Sequence, residues 1–175
     1  MINPENINLL LQHMKWADTE VWRKILNFSS AANDERLKKL LYHLHQVQYA
    51  FLALWNNTPI ELPKLESFKD IESIAKWGFE YQNKLDDFLS LPQTYIKDKI
   101  VQIPWSVFLE RKFGKKVNPA TMEETILQIT SHSTYHRGQI NTHFRELGGE
   151  PASVDFIIWV WLGKPEEDWG NIMLS

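Results

Sequence analysis

The 175-residue chain contains no cysteine. That excludes disulfides, thiolate metal sites and a cysteine nucleophile, so a metal ion can be held only by histidine or carboxylate side chains. The chain also lacks an excess of positive charge, with 19 Lys and Arg against 22 Asp and Glu and a formal net charge of -3. Without a basic field to collect phosphates, nucleic acid is not an expected partner. Long hydrophobic runs are missing as well: no segment has the length needed to cross a bilayer, and Met1 to Asp18 has no basic start followed by an apolar stretch. The expectation is therefore a cytoplasmic protein with no membrane partner. No internal repeat or low-complexity segment is visible.

What the chain does have is apolar periodicity. With 43% hydrophobic residues it can bury one substantial core, and its length predicts one globular domain over residues 1–175. Asn3-Pro4-Glu5 reads as a helix start, with Leu10, Met14, Ala17, Val21 and Ile25 as the apolar stripe up to about Phe28. Asn33-Asp34-Glu35 opens a second helix with Leu37, Leu40, Leu41, Leu44, Val47, Phe51 and Trp55, stopped by Asn56 to Pro59. Ser67-x-x-Asp70 reads as a capping box for a third, with Ile71, Ile74, Phe79, Leu85, Phe88 and Leu89 behind it, ending near Pro92.

From Tyr95 to Val117 the helical period disappears, and Ile96, Ile100, Val101, Ile103 and Val107, with Gly114 nearby, predict an extended or hairpin excursion. Thr121-x-x-Glu124 then caps a fourth helix with Ile126, Ile129, Ile140, Phe144 and Leu147 on its core face and Gly148-Gly149 as its stop; Asp155 to Leu162 predicts a short, very apolar final helix. The expected fold is all-α: a four-helix bundle with a long crossover between helices three and four and a short C-terminal helix. The eight tryptophans and nine phenylalanines fit a bundle core better than a base-stacking surface.

The chemistry lies in the histidines. His132 and His136 are four residues apart on helix four, one turn above the other, so their ring nitrogens can aim at one point and need one further ligand from elsewhere. His143 lies roughly 10 Å farther along the axis and cannot share an ion with the pair. In helix two, His43 and His45 point in directions roughly 160° apart, so only one can face a common site. Periodicity leaves that choice open, because each lies on a margin of the apolar stripe; His13 in helix one is an outside candidate. The segment is not a zincin motif, since Ser133 stands where His-Glu-x-x-His needs its general base.

Several stretches together resemble the DinB-like family, metal-binding bundles that include bacillithiol and mycothiol S-transferases. Trp16-Ala17-Asp18 resembles that family's Trp-Ala-Asn element, and Leu41-Tyr42-His43, with Gln48 and Phe51, its second-helix histidine followed by an acid and a tryptophan. His132-x-x-x-His136-Arg137-Gly138-Gln139 is the most specific part, and Leu147-Gly148-Gly149-Glu150-Pro151 with Asp155 resembles the closing Gly-x-x-Pro and Asp. Gln48 stands where an acid is usual and Phe51 where tryptophan is usual.

The resemblance implies His43, His132 and His136 as the ligands of one divalent ion, zinc or nickel, and gives His45 no counterpart. Gln48, Arg137 and Gln139 are then candidates for outer hydrogen bonds around the ligands, and Gly138 for a close helix approach. Three histidines leave a coordination position open, the arrangement of a catalytic site. The resemblance implies a metal-dependent transferase activating a low-molecular-weight thiol, with a metal-dependent hydrolase or a non-catalytic metal- or ligand-binding stress-response bundle as the alternatives. It also implies a homodimer, an arrangement to which the all-round apolar segment Phe156 to Leu162 lends itself.

Overall fold

A computed structural model describes residues 4–92, 96 and 99–170. Among these, four long helices form the body: α1 (Pro4–Leu26), α2 (Glu35–Trp55), α3 (Ile71–Leu89) and, after the crossover, α5 (Met122–Glu146). They pack as a ring in which α1 meets α5 and α3, and α2 meets α5 and α3. The crossover holds β1 (Ile100–Val101), α4 (Ser106–Phe113) and β2 (Ala120–Thr121), and α6 (Phe156–Trp161) follows α5. The fold is all-α, with one two-stranded antiparallel ladder pairing Ile100 with Thr121 and Val101 with Ala120.

Local chemistry explains the helix starts. Asp34 caps α2 by accepting from the Leu37 amide, and Thr121 and Glu124 close a reciprocal capping box on α5. The box on α3 lies one turn later than the sequence suggests. Asp70 accepts from the Ser73 amide, while Ser67 belongs to a 3-10 turn and donates to the Lys64 carbonyl. The Asn3 cap expected for α1 lies outside the described residues, as do Tyr95 and its neighbours 93–94 and 97–98. Helix α1 ends at Leu26, two residues early, because Phe28 turns extended and its ring meets Phe144 edge-on. At its C-terminus α5 closes with a Schellman motif: Gly148, at φ 90°, donates to the Arg145 carbonyl and Gly149 to that of Phe144.

Most of the core is one large apolar cluster. Leu11, Met14, Trp22, Leu37, Leu41, Trp55, Ile74, Tyr81, Ile126 and Ile129 are among its fully buried members. Helix α1 is buried on more faces than its stripe implies, since α6 also covers it: Trp159 packs on Trp16 and Ala17 in a second small cluster. The crossover corrects the sequence reading, because the expected extended excursion is only a two-residue ladder at its ends, with α4 between. Helix α4 contributes no buried residue, and its apolar residues Val107, Phe108, Leu109 and Phe113 are each 41% or more exposed, so they do not mark a core face.

His143 ties the end of α5 to the start of α2. Its Nε2 lies 2.8 Å from Asp34 Oδ1 and its Nδ1 2.8 Å from Glu146 Oε2. Glu146 and then Asp34 raise its pKa against the opposing effect of burial. A histidine whose folded pKa is raised adds stability that is fully present below its unfolded value of about 6.5 and is lost as pH rises through the folded value. Thermal melts of His143→Gln and the unaltered chain should therefore differ more near pH 6 than near pH 8.5. His13, His45, His132 and His136 have lowered values and act in the opposite sense, but identically in both proteins, so they cancel in the difference. A gap that is constant or widens toward alkaline pH would contradict this role.

Candidate metal centre

The α2–α5 contact brings His43, His132 and His136 together, with one ring nitrogen from each lying within 4.8 Å of the others. The Nε2 atoms of His132 and His136 face one another at 3.1 Å. Two nitrogens sharing a tetrahedral zinc at ordinary bond lengths sit roughly 3.3 Å apart, so this pair already has the spacing of a chelate. The His43 ring centre is 4.6 Å from that of His136 and 5.6 Å from that of His132. His136 is buried, and His43 and His132 are half-buried, so one side of the group stays open.

The donor set suits a cation. Burial, and then the proximity of His136 and His43, pushes the His132 pKa down to about 4. Burial, and then His43, lowers that of His136, while Gln139 acts the other way. Both rings are thus neutral at physiological pH, the form that ligates. His132 Nδ1 is buried without a hydrogen-bond partner, and His136 Nδ1 meets none in bonding geometry despite the nearby Gln139. If the ring protons sit on these atoms, two Nε2 lone pairs point at each other, an arrangement that a positive ion between them relieves. The residues present therefore fit a divalent ion. His43 Nδ1 is 3.4 Å from Gln46 Oε1, a long contact that leaves Nε2 for the ion; Gln46 in turn donates to Tyr42 Oη.

His45 is elsewhere. It is fully buried, accepts at Nε2 from Trp22 Nε1 at 2.9 Å and faces Gln48 Oε1 with Nδ1 at 2.8 Å. Both nitrogens are committed, with the proton on Nδ1, and burial lowers the pKa. His13 lies against α6, its Nε2 2.8 Å from the Val154 carbonyl.

Gln48 and Arg137 belong to a buried network behind the three histidines. Gln48 donates to Asp18 Oδ2 at 2.7 Å and to Ser133 Oγ at 3.1 Å. Arg137 donates to Asp18 Oδ1 at 2.7 Å and to Thr134 Oγ1 at 2.9 Å. Their link to the ligands thus runs through the backbone of α5. Gln139 donates to Tyr135 Oη, and a Cβ on Gly138 would meet nothing within 4 Å, so no helix passes close there. The close approach is at Gly78 of α3, where a Cβ would lie 2.4 Å from His45 Nε2. Because Trp22 and Gln48 hold that ring in place, Gly78→Ala should cost about 1–3 kcal/mol in urea unfolding. An unchanged midpoint would show that the ring can move aside.

Sequence reasoning missed Gln46 and quoted Asp18 only within the Trp16-Ala17-Asp18 resemblance, with no role at the site. The signal for Asp18 was present: it stands four residues after Met14 and three before Val21, a charge inside the apolar stripe of α1.

The model of the DinB family matches residues 1–167. An uncharacterized protein of Bacillus subtilis (strain 168), YizA, is 22% identical over 123 residues, covering 70% of this chain and 72% of that protein.

Proposed function

We propose, from the premise that the chain belongs to the DinB family, that it is a divalent-metal-dependent transferase which activates a small thiol at His43, His132 and His136. The observation that carries this reading is the convergence of three imidazoles from two helices on one point with an open side. Closed structural sites use four protein ligands, whereas three leave a position for a reactant. A divalent ion there lowers the pKa of a thiol or water that binds it, so a nucleophile exists at neutral pH; zinc and nickel both suit three neutral imidazoles.

The protein's own part is to hold and orient. Helix α5 fixes His132 and His136 one turn apart, Gln46 meets the far nitrogen of His43, and the half-buried setting limits water around the reacting sulfur. In the transfer itself, a sulfur–carbon bond forms as the leaving group departs with its electron pair, and the thiol proton passes to solvent. The test uses protein purified without a histidine tag. Metal content should approach one ion per chain, and the loaded protein should transfer a small thiol to an electrophile. Metal without turnover of any thiol would overturn the enzymatic reading in favour of a binding role.

Among the described residues no helix is long and apolar enough to cross a membrane. Assembly is proposed from α6. Its inner face buries Trp159, which packs on α1 rather than over the crossover, while Phe156, Ile157, Trp161 and Leu162 are 40%, 49%, 76% and 62% exposed. We propose that this outer face pairs two copies about a two-fold axis. Light scattering should give a dimer for the unaltered chain and a monomer for Ile157→Glu with Trp161→Glu. A monomer before substitution removes the claim.

A further inference from the structure

Beside the three histidines a cleft of about 990 Å³ opens between α2, α5 and the crossover, at the upper end of the range for small-molecule sites. One end reaches His132 and Gln46, and Gln46 is the partner of His43. A ligand lying in the cleft therefore ends at the metal centre. Its walls are mainly apolar: Val47 and Phe51 come from α2, and Val101, Trp105 and Leu109 from the crossover. The Trp105 ring stands edge-on to Phe51 with centroids 5.5 Å apart.

Charge decides what the cleft can hold. Among the described residues no lysine or arginine lines it, and the two carboxylates that do, Glu110 and Glu124, are already engaged. Glu124 Oε2 accepts from the Thr121 amide and hydroxyl at 2.8 and 3.1 Å, and Glu110 Oε1 accepts from the Val117 amide at 3.2 Å. Away from the metal centre, an anionic ligand would leave water, meet no basic side chain of the described lining and face two negative groups. The remaining polar lining consists of uncharged amides such as Gln102, Asn118 and Gln128, the hydroxyls of Ser106 and Thr125, and His132 at the metal end.

We propose that this cleft binds the second substrate, and that this substrate is an uncharged, mainly apolar electrophile whose reactive end lies at His132. The reaction rests on the thiol-transfer reading above, but occupancy of the cleft can be measured apart from it. The probes are neutral N-phenyl-1-naphthylamine and anionic 1-anilinonaphthalene-8-sulfonate, titrated against the full chain with and without nickel.

Without nickel, the neutral probe should bind at least about tenfold more tightly than the anion. Leu109→Glu, an exposed position that leaves the fold intact, should weaken it about tenfold, and Gln128→Lys should shift the preference toward the anion. Nickel held by the histidines should quench the bound probe. Equal or tighter binding of the anion in the metal-free protein overturns the proposal. So does a neutral probe that ignores Leu109→Glu, or one that stays unquenched when nickel is bound, since it then lies elsewhere. If the neutral probe binds, responds to Leu109→Glu and no ion is taken up, the metal reading fails while the cleft stands as an apolar binding site.

Discussion

Alanine at His43, His132 or His136 is expected to abolish tight binding of the divalent ion, each by more than the roughly 10- to 100-fold that loss of an outer hydrogen bond costs. Two remaining imidazoles cannot make a three-ligand site, and no other histidine or carboxylate group of the kind lies among the described residues to replace the third. The same change at His45 should leave affinity unaltered in whatever fraction stays folded, because both its nitrogens are engaged with Trp22 and Gln48. Calorimetric titration decides between them: retained affinity in His43→Ala with loss in His45→Ala would reverse the assignment on α2.

A second readout comes from linkage, since an ion that binds only the folded chain adds RT ln(1 + [L]/Kd), about 2.7 kcal/mol at a hundredfold excess over Kd. The unaltered protein should melt higher with the ion, and the three ligand variants should not. A chelator should remove that increment without unfolding the chain, whose core is apolar and independent of the three rings.

The four long helices were legible, and so were the starts of α2 and α5, because they rest on local chemistry, whereas the box on α3 was read one turn early. Asp34 and Thr121–Glu124 do at short range what their side chains dictate anywhere. The crossover was not, because α4 is only eight residues long and its apolar residues do not mark a core face, and because the β1–β2 pairing joins residues about twenty apart. The site was half legible. The spacing of His132 and His136 is a property of one helix, but the choice between His43 and His45 depends on which neighbours each margin of α2 meets. Trp22 and Gly78 form a slot for the ring of His45, and α5 offers imidazoles to His43. Only tertiary packing holds that information, and the family resemblance supplied it where periodicity was silent.

Asp18→Ala is the substitution in the polar core expected to cost most, about 3–5 kcal/mol of folding stability. Asp18 and Arg137 are almost wholly buried, with side chains 1% and 3% exposed, and they meet at 2.7 Å. Removing the carboxylate strands the guanidinium without a counter-charge and takes from Gln48 its shorter acceptor. The loss should not stay local, because Arg137 follows His136 directly and the ion pair joins α1 to the part of α5 that carries both ligands. Affinity for the ion should therefore fall in Asp18→Ala even below its melting temperature.

The double variant Asp18→Leu with Arg137→Met removes both charges together and should be less destabilised than the sum of the single changes, since neither partner is left bare. Urea unfolding of the four proteins measures the coupling. A cost under about 1 kcal/mol for Asp18→Ala, or strict additivity in the cycle, would mean that the pair is solvated in solution and does not hold α5 in register.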